Sequence, residues 1–312
     1  MSDWGQLPSR RGALTLGEHG HLYSCGSCGL WFRRPYPSGA ELARLYSRMP
    51  ASSWTYAGER FDEKFARELL GRRIEEGAVL DCGCFRGDFL ASLPNSLLKY
   101  GIEPSGEARQ VATGRGIRLL ASSIDTLPAK AGPFHGMTLL DVIEHVPEPL
   151  EALATLAGAL APGGMLIIST GNTDALTWRL MRKDYWYYYP EHVSFFNPGW
   201  FRWAAPRLGL VVTRVARFSH FEGPVSKRWR QCLRALGFWA AQKAKHWPRL
   251  QRLLSLHHAF RWQEAPFTGS WSDHMVVVLE PRGRGLQVGS ATHDQREPAS
   301  PAPSVRRRAM AT

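Results

Sequence analysis

Short apolar runs alternate with helix-length stretches through the middle of the chain. The runs are AVLDCG at 78–83, KYGIEP at 99–104, IRLLASS at 117–123, GMTLLDV at 136–142 and GMLIIST at 164–170. Each reads as a strand, and strands that alternate with helices predict a parallel sheet joined by crossovers. One such helix is EPLEALATLAGAL at 148–160, stopped by Pro162-Gly163-Gly164. Two further strand-like runs follow, LGLVVTRVARF at 208–218 and DHMVVVLEP at 273–281. Between them Trp229, Leu233, Leu236 and Ala240, then Leu250, Leu253 and Leu254, recur at helical spacing, with Pro248 suited to open the second helix. The pattern therefore predicts two amphipathic helices inserted at 223–270, just before the last strand.

Composition adds bounds. The chain has 312 residues, 44% of them apolar and 21% charged, which is enough apolar mass for a sizeable core. Its net charge of +12 is concentrated: residues 227–263 hold nine Lys or Arg and no acid, and six Arg face two acids from 282 onward. A polyanion-binding reading therefore rests on one segment and one tail. That tail is poor in apolar residues and rich in Gly, Pro, Ser and Arg, and is expected to be disordered over 282–312. The expected division is an N-terminal arm over 1–50, a main domain over 51–281 and the tail. No apolar run reaches the ~20 residues of a bilayer span, and MSDWGQLPSRRG lacks the apolar stretch of a signal peptide. The expected location is cytoplasmic, with membrane association through the basic insertion. The five cysteines, an odd number, make no disulfide framework.

The chemistry concentrates in Val79-Leu80-Asp81-Cys82-Gly83-Cys84-Phe85-Arg86-Gly87-Asp88-Phe89-Leu90. An apolar strand runs into an acid, then glycines, then a helix start, which lets a ligand approach backbone and offers helix N–H groups to anions. Glu103 ends the next strand, where a carboxylate can receive both hydroxyls of a ribose.

This stretch resembles motif I of the class I S-adenosylmethionine-dependent methyltransferases, Asp-x-Gly-x-Gly-x-Gly, with Phe85 at the middle glycine position. GIEPS at 101–105, LLDVIEHVPEPLEAL at 139–153 and LAPGGMLIISTGN at 160–172 resemble the next blocks of that family, in order. CGLWFRRPYPS at 28–38 and YYPEHVSFFNPGWF at 188–201 resemble segments of a small-molecule subgroup. The resemblance implies a Rossmann-like, doubly wound α/β sheet of seven strands, mostly parallel with an antiparallel last strand. It implies S-adenosyl-L-methionine as cofactor, held by Asp81, Gly83, Cys84, Gly87, Glu103, Ser123, Ile124 and Asp141; Ser123 stands where many relatives carry an adenine-contacting Asp.

Methyl transfer is an in-line attack on a sulfonium carbon, so a protein performing it needs positioning, desolvation and, for many acceptors, a base. His145, one helical turn beyond Asp141, and His192, in PEHVSFF, are the candidate bases, as histidines titrating near neutrality. Trp178, Tyr185, Trp186, Tyr187, Tyr188, Tyr189, Phe195 and Phe196 are candidates to line an acceptor pocket or fill the core. Cys25 and Cys28 resemble half of a zinc ribbon, with His19 and His21 able to complete four ligands, against a simple turn. The Asn/Asp-Pro-Pro-aromatic motif of base-amino methylation is absent, as is any Pro-Cys pair. A small-molecule or lipid-linked acceptor is therefore favoured over nucleic acid, the alternatives being a non-catalytic scaffold or an RNA methyltransferase using the basic insertion. That insertion reads either as a cap with its apolar stripe toward the core or as an arm on an anionic membrane, and its direct return to an internal strand favours the cap.

Overall fold

A computed structural model of the chain describes residues 1–7, 10–11, 14–15, 20–47, 59–220, 224–244 and 272–283. The N-terminal strands are β1 (Ser2–Gln6), β2 (Arg10–Arg11), β3 (Leu14–Thr15), β4 (His21–Ser24) and β5 (Trp31–Arg34), followed by α1 (Gly39–Ser47) and α2 (Phe61–Arg73). Then come β6 (Gly77–Cys82), α3 (Asp88–Ala91), β7 (Leu97–Ile102), α4 (Gly106–Gly114), β8 (Arg118–Ala121), β9 (Phe134–Leu140), α5 (Pro149–Gly158) and β10 (Leu160–Gly171). The chain continues through α6 (Leu176–Met181), β11 (Ser194–Phe195), α7 (Pro198–Ala204), β12 (Leu210–Phe218), α8 (Val225–Ala244) and β13 (His274–Pro281).

Seven of these strands form one sheet in the order β12-β13-β10-β9-β6-β7-β8. All pairings are parallel except those of β13, which runs antiparallel between β10 and β12. This is the Rossmann-like sheet with an antiparallel last strand, and each of the seven apolar runs is one of its strands. The inner strands are apolar at successive positions because both faces are covered. Leu80, Leu139, Leu166, Ile168 and Val277 point to a core closed by α5 and α7, while Val79, Ile167, Val276 and Val278 point to a core closed by α2, α3 and α4. Burying each such side chain stabilises the fold by about 1.5–3 kcal/mol, so a polar residue inside these strands needs a partner.

The expected boundary at residue 50 does not separate compact units: Met1–Arg282 form one. β1, β4 and β5 continue into a four-stranded sheet completed by β11, with Ser194 opposite Phe32 and Phe195 opposite Trp31. Arg33 is buried, its backbone N–H donates to the Val193 carbonyl, and its guanidinium donates to the carbonyls of His192 and Tyr189. The edge of β5 needed a partner, and the segment after α6 supplies it.

The first helix of the basic insertion is α8; the second, and the tail from residue 284, lie outside the described residues. The face that α8 buries differs from the expected one. Gln231, Ala235 and Phe238 turn inward, where Ala235 and Phe238 join Trp178 and Tyr185 in a third core, while Trp229, Leu233 and Leu236 are exposed. Two apolar stripes share this helix, and the one with Ala235 and Phe238 fits against the aromatic cluster of Trp178 on α6 and the tyrosines that follow it.

Candidate functional site

The C-terminal ends of β6, β7, β8 and β9 lie side by side at one edge of the parallel sheet, where ligands of doubly wound folds bind. Asp81, Glu103, Ser123 and Asp141 occupy those ends. Asp81 is buried and accepts from the Thr138 hydroxyl at 2.6 Å; burial nonetheless pushes its carboxyl up to about 7. Past it the chain turns through Gly83 (φ 75°), Phe85 (φ 47°) and Gly87 (φ 75°). A Cβ on Gly83 would stand 2.5 Å from Val142 Cγ2, and one on Gly87 would stand 1.9 Å from Ile117 Cδ1, so both glycines are demanded by conformation and space. Phe85 adopts the left-handed conformation that the family pattern gives to glycine.

Glu103 pins this loop. Its Oε2 accepts from the Phe85 N–H and its Oε1 from the Ser105 N–H, both at 2.8 Å. Burial raises its pKa, against those two bonds. Each oxygen keeps a further lone pair that can accept another donor. Cys84 is buried, and its Sγ lies 2.4 Å from where a Cβ on Gly101 would be. Ser123 and Ile124 begin a one-turn helix after β8, the Ser123 and Thr126 side chains capping it and Ile124 turned into the core. The helix expected to offer N–H groups to anions is α3, four residues long, too short for an appreciable dipole.

Asp141 is the most heavily engaged of these acids. It ends β9 at φ 54°, and its carboxylate already holds three partners: Ser169 Oγ at 3.3 Å, Arg60 Nη2 at 2.5 Å and His220 Nε2 at 3.1 Å. Burial opposes its ionisation, yet Arg60 and then His220 hold it well below the usual carboxylate range. Arg60 also pairs with fully buried Asp62. His220 packs edge-on against His274 with ring centroids 4.4 Å apart, and His274 bonds Asp273, which keeps its pKa above the ordinary value despite burial.

His145 and His192, distant in sequence, pack edge to face with ring centroids 4.6 Å apart. The expectation that they titrate near neutrality is corrected: burial lowers His145 to about 4 and His192 well below 6.5. Both are neutral at pH 7. His192 Nδ1 lies 2.8 Å from the Tyr187 carbonyl, which can only accept, so that nitrogen carries the proton and Nε2 is left a lone pair. His145 Nδ1 lies 2.8 Å from the Tyr46 hydroxyl. Beneath them Glu144 is buried, accepting from the Tyr187 hydroxyl and from Thr170 Oγ1 at 2.9 Å, and burial together with Asp141 pushes its carboxyl up to about 8. Of the aromatic candidates Trp178, Tyr185, Tyr187, Tyr188, Phe195 and Phe196 are buried core and Trp186 packs on it, while Tyr187 and Tyr189 also pack against the His192 ring.

Arg60, Tyr46, His220 and His274 escaped sequence reasoning because nothing local marks them. Thr138, Ser169 and Thr170 did leave a signal, as hydroxyls interrupting apolar runs, and each donates to a carboxylate of the site. Asp141 with His220 and His274, and Glu144 with His145 and His192, have atoms close enough to share a cation, though Arg60 already occupies the first group. Neither group includes Cys25 or Cys28, and among the described residues no third ligand stands beside that pair. The pair forms a turn, Gly29 N–H to Cys25 carbonyl at 2.9 Å, anchored by Asn197 Nδ2 on the Gly29 carbonyl. His21 is bonded to Asp3, and His19 lies outside the described residues.

A seven-stranded sheet of this order, with acids at the ends of adjacent parallel strands, defines a Rossmann-like α/β fold of the methyltransferase kind. The chain belongs to the methyltransferase domain family, whose pattern matches residues 53–215. It is 35% identical over 120 residues to the ubiquinone biosynthesis O-methyltransferase of Caulobacter sp. (strain K31), covering 35% of this chain and 47% of that protein. It is 31% identical over 132 residues to the protein of the same name from Escherichia coli O157:H7, covering 40% and 51%. The chain thus spans about half the length of the curated relatives it matches. Among solved structures, 1,6-didemethyltoxoflavin-N1-methyltransferase of Burkholderia thailandensis is 13% identical, with 84% of this chain and 95% of that one aligned at a TM-score of 0.49.

Proposed function

We propose that this protein transfers a methyl group from S-adenosyl-L-methionine to a hydroxyl of a small-molecule or lipid-linked acceptor. The observation that carries the reading is the packing of half-buried His145 on buried His192 beyond the end of β9, next to the row of acids at the strand ends, in a chain of this family. The names of the curated relatives support oxygen as the atom methylated.

Asp81, Gly83, Cys84, Gly87, Glu103, Ser123 and Ile124 would hold the cofactor, Glu103 receiving the ribose hydroxyls on its remaining lone pairs. When bound, S-adenosylmethionine supplies an electrophilic methyl group on a sulfonium. His192 Nε2 takes the acceptor's hydroxyl proton, its tautomer set by the Tyr187 carbonyl. Being neutral at pH 7, it needs no prior deprotonation, and the charge it gains faces ionised Asp141. Glu144 keeps its proton while Asp141 loses one, the division expected of two neighbouring carboxyls with unlike partners. Tyr187 and Tyr189 keep water from the ring.

Calorimetry with S-adenosylmethionine, then methyl transfer assayed on phenolic hydroxyl acceptors with and without a polyprenyl tail, tests the reading. His192→Gln is expected to retain cofactor affinity and lose about 100-fold in turnover. Absence of cofactor binding by the intact chain would refute the proposal outright.

A further inference from the structure

We propose that α8 is a docking surface for an anionic lipid bilayer, a property separate from methyl transfer. Five of the nine exposed large apolar side chains among the described residues lie on this helix: Val225, Trp229, Leu233, Leu236 and Trp239. At 100° per residue they fall within an arc of roughly 120°, one face of the helix. The face holding Gln231, Ala235 and Phe238 is packed on the body, so the stripe cannot turn inward without giving up that contact. α6 packs against α8 and adds Leu176, 70% exposed.

Charge selects the occupant. The helix VSKRWRQCLRALGFWAAQKA carries Lys227, Arg228, Arg230, Arg234 and Lys243 and no acid. Arg228 and Arg230 fall on opposite sides of the apolar arc, the arrangement of a helix that lies in a headgroup layer with cations beside the phosphates. A second copy would bring the same positive face and be repelled. Residues 245–271 hold Lys245, Arg249, Arg252 and Arg261 against Glu264 alone, so they too are a poor electrostatic match for this face. Each cation that reaches an anionic surface favours binding about fivefold, screened within about 8 Å at physiological salt.

The full chain is sedimented with phosphatidylcholine vesicles lacking or containing phosphatidylglycerol. Binding is expected only to the anionic vesicles and weakened by salt. Leu233→Ser with Leu236→Ser, at exposed positions, is expected to weaken it by about tenfold. Arg230→Glu with Arg234→Glu is expected to weaken it by about 20-fold or more, with unchanged thermal unfolding. Equal binding to both vesicle types overturns the proposal, as does binding indifferent to both variants. Loss on charge reversal alone would mark a site for an acidic polymer instead of a lipid. A dimer in sedimentation velocity that the leucine variant dissolves would give the stripe to a second copy.

Discussion

Replacing Gly87 by alanine tests how the cofactor loop is built. Two separable costs arise. The residue sits at φ 75°, and an L side chain in the left-handed region costs about 1–2 kcal/mol. The new Cβ would also stand 1.9 Å from Ile117 Cδ1, itself buried, and such overpacking costs about 1–3 kcal/mol. Gly87→Ala should therefore destabilise by about 2–5 kcal/mol, a large share of the stability of an ordinary domain. Gly116 is the internal control: its φ is 82° but nothing lies within 4 Å of its Cβ position, so Gly116→Ala should show the backbone cost alone. Ile117→Val removes Cδ1 and leaves Cγ1 at 3.4 Å, ordinary contact. It should cost about 1 kcal/mol by itself and recover most of the packing cost when combined with Gly87→Ala. Urea unfolding of the four variants, followed by far-ultraviolet circular dichroism, gives the cycle. A Gly87→Ala cost equal to that of Gly116→Ala, or no coupling to Ile117→Val, would refute the reasoning.

Glu103→Ala is expected to weaken S-adenosylmethionine binding by about 10- to 100-fold, the loss of a charged acceptor; unchanged affinity by calorimetry discards its role. Arg33→Met leaves the carbonyls of His192 and Tyr189 without their buried donor and should cost about 2–4 kcal/mol in urea unfolding. His145 falls from 6.5 to about 4 on folding, so the unfolded chain binds its proton first. Its contribution is fully present above pH 6.5 and is lost as pH falls from there toward 4, at up to about 1.4 kcal/mol per pH unit. Denaturation midpoints at pH 7 and pH 5 should differ less in His145→Gln, and an identical difference removes the assignment.

The strands could be read from residues alone because each is an apolar run that no helix period fits, and burial on both faces is written into consecutive positions. AVLDCG, GMTLLDV and DHMVVVLEP fall within a residue or two of β6, β9 and β13. The loop acids were equally legible, since Asp81, Glu103 and Asp141 each end such a run. The polar half of the site was not. His220 and His274 meet only because β12 and β13 pair antiparallel with Phe218 opposite His274, and His145 meets His192 only because the segment before β11 is clamped by Arg33 from the other end of the chain. The protonation of His145 and His192 is likewise a tertiary property, because burial sets it. The same holds for α8: its sequence carries two apolar stripes, and only the aromatic cluster of Trp178 on α6 and the tyrosines that follow it decides that Ala235 and Phe238 are buried while Trp229 and Leu233 face out. Periodicity records that a face is apolar, whereas the choice between two such faces depends on which one finds a surface of matching shape.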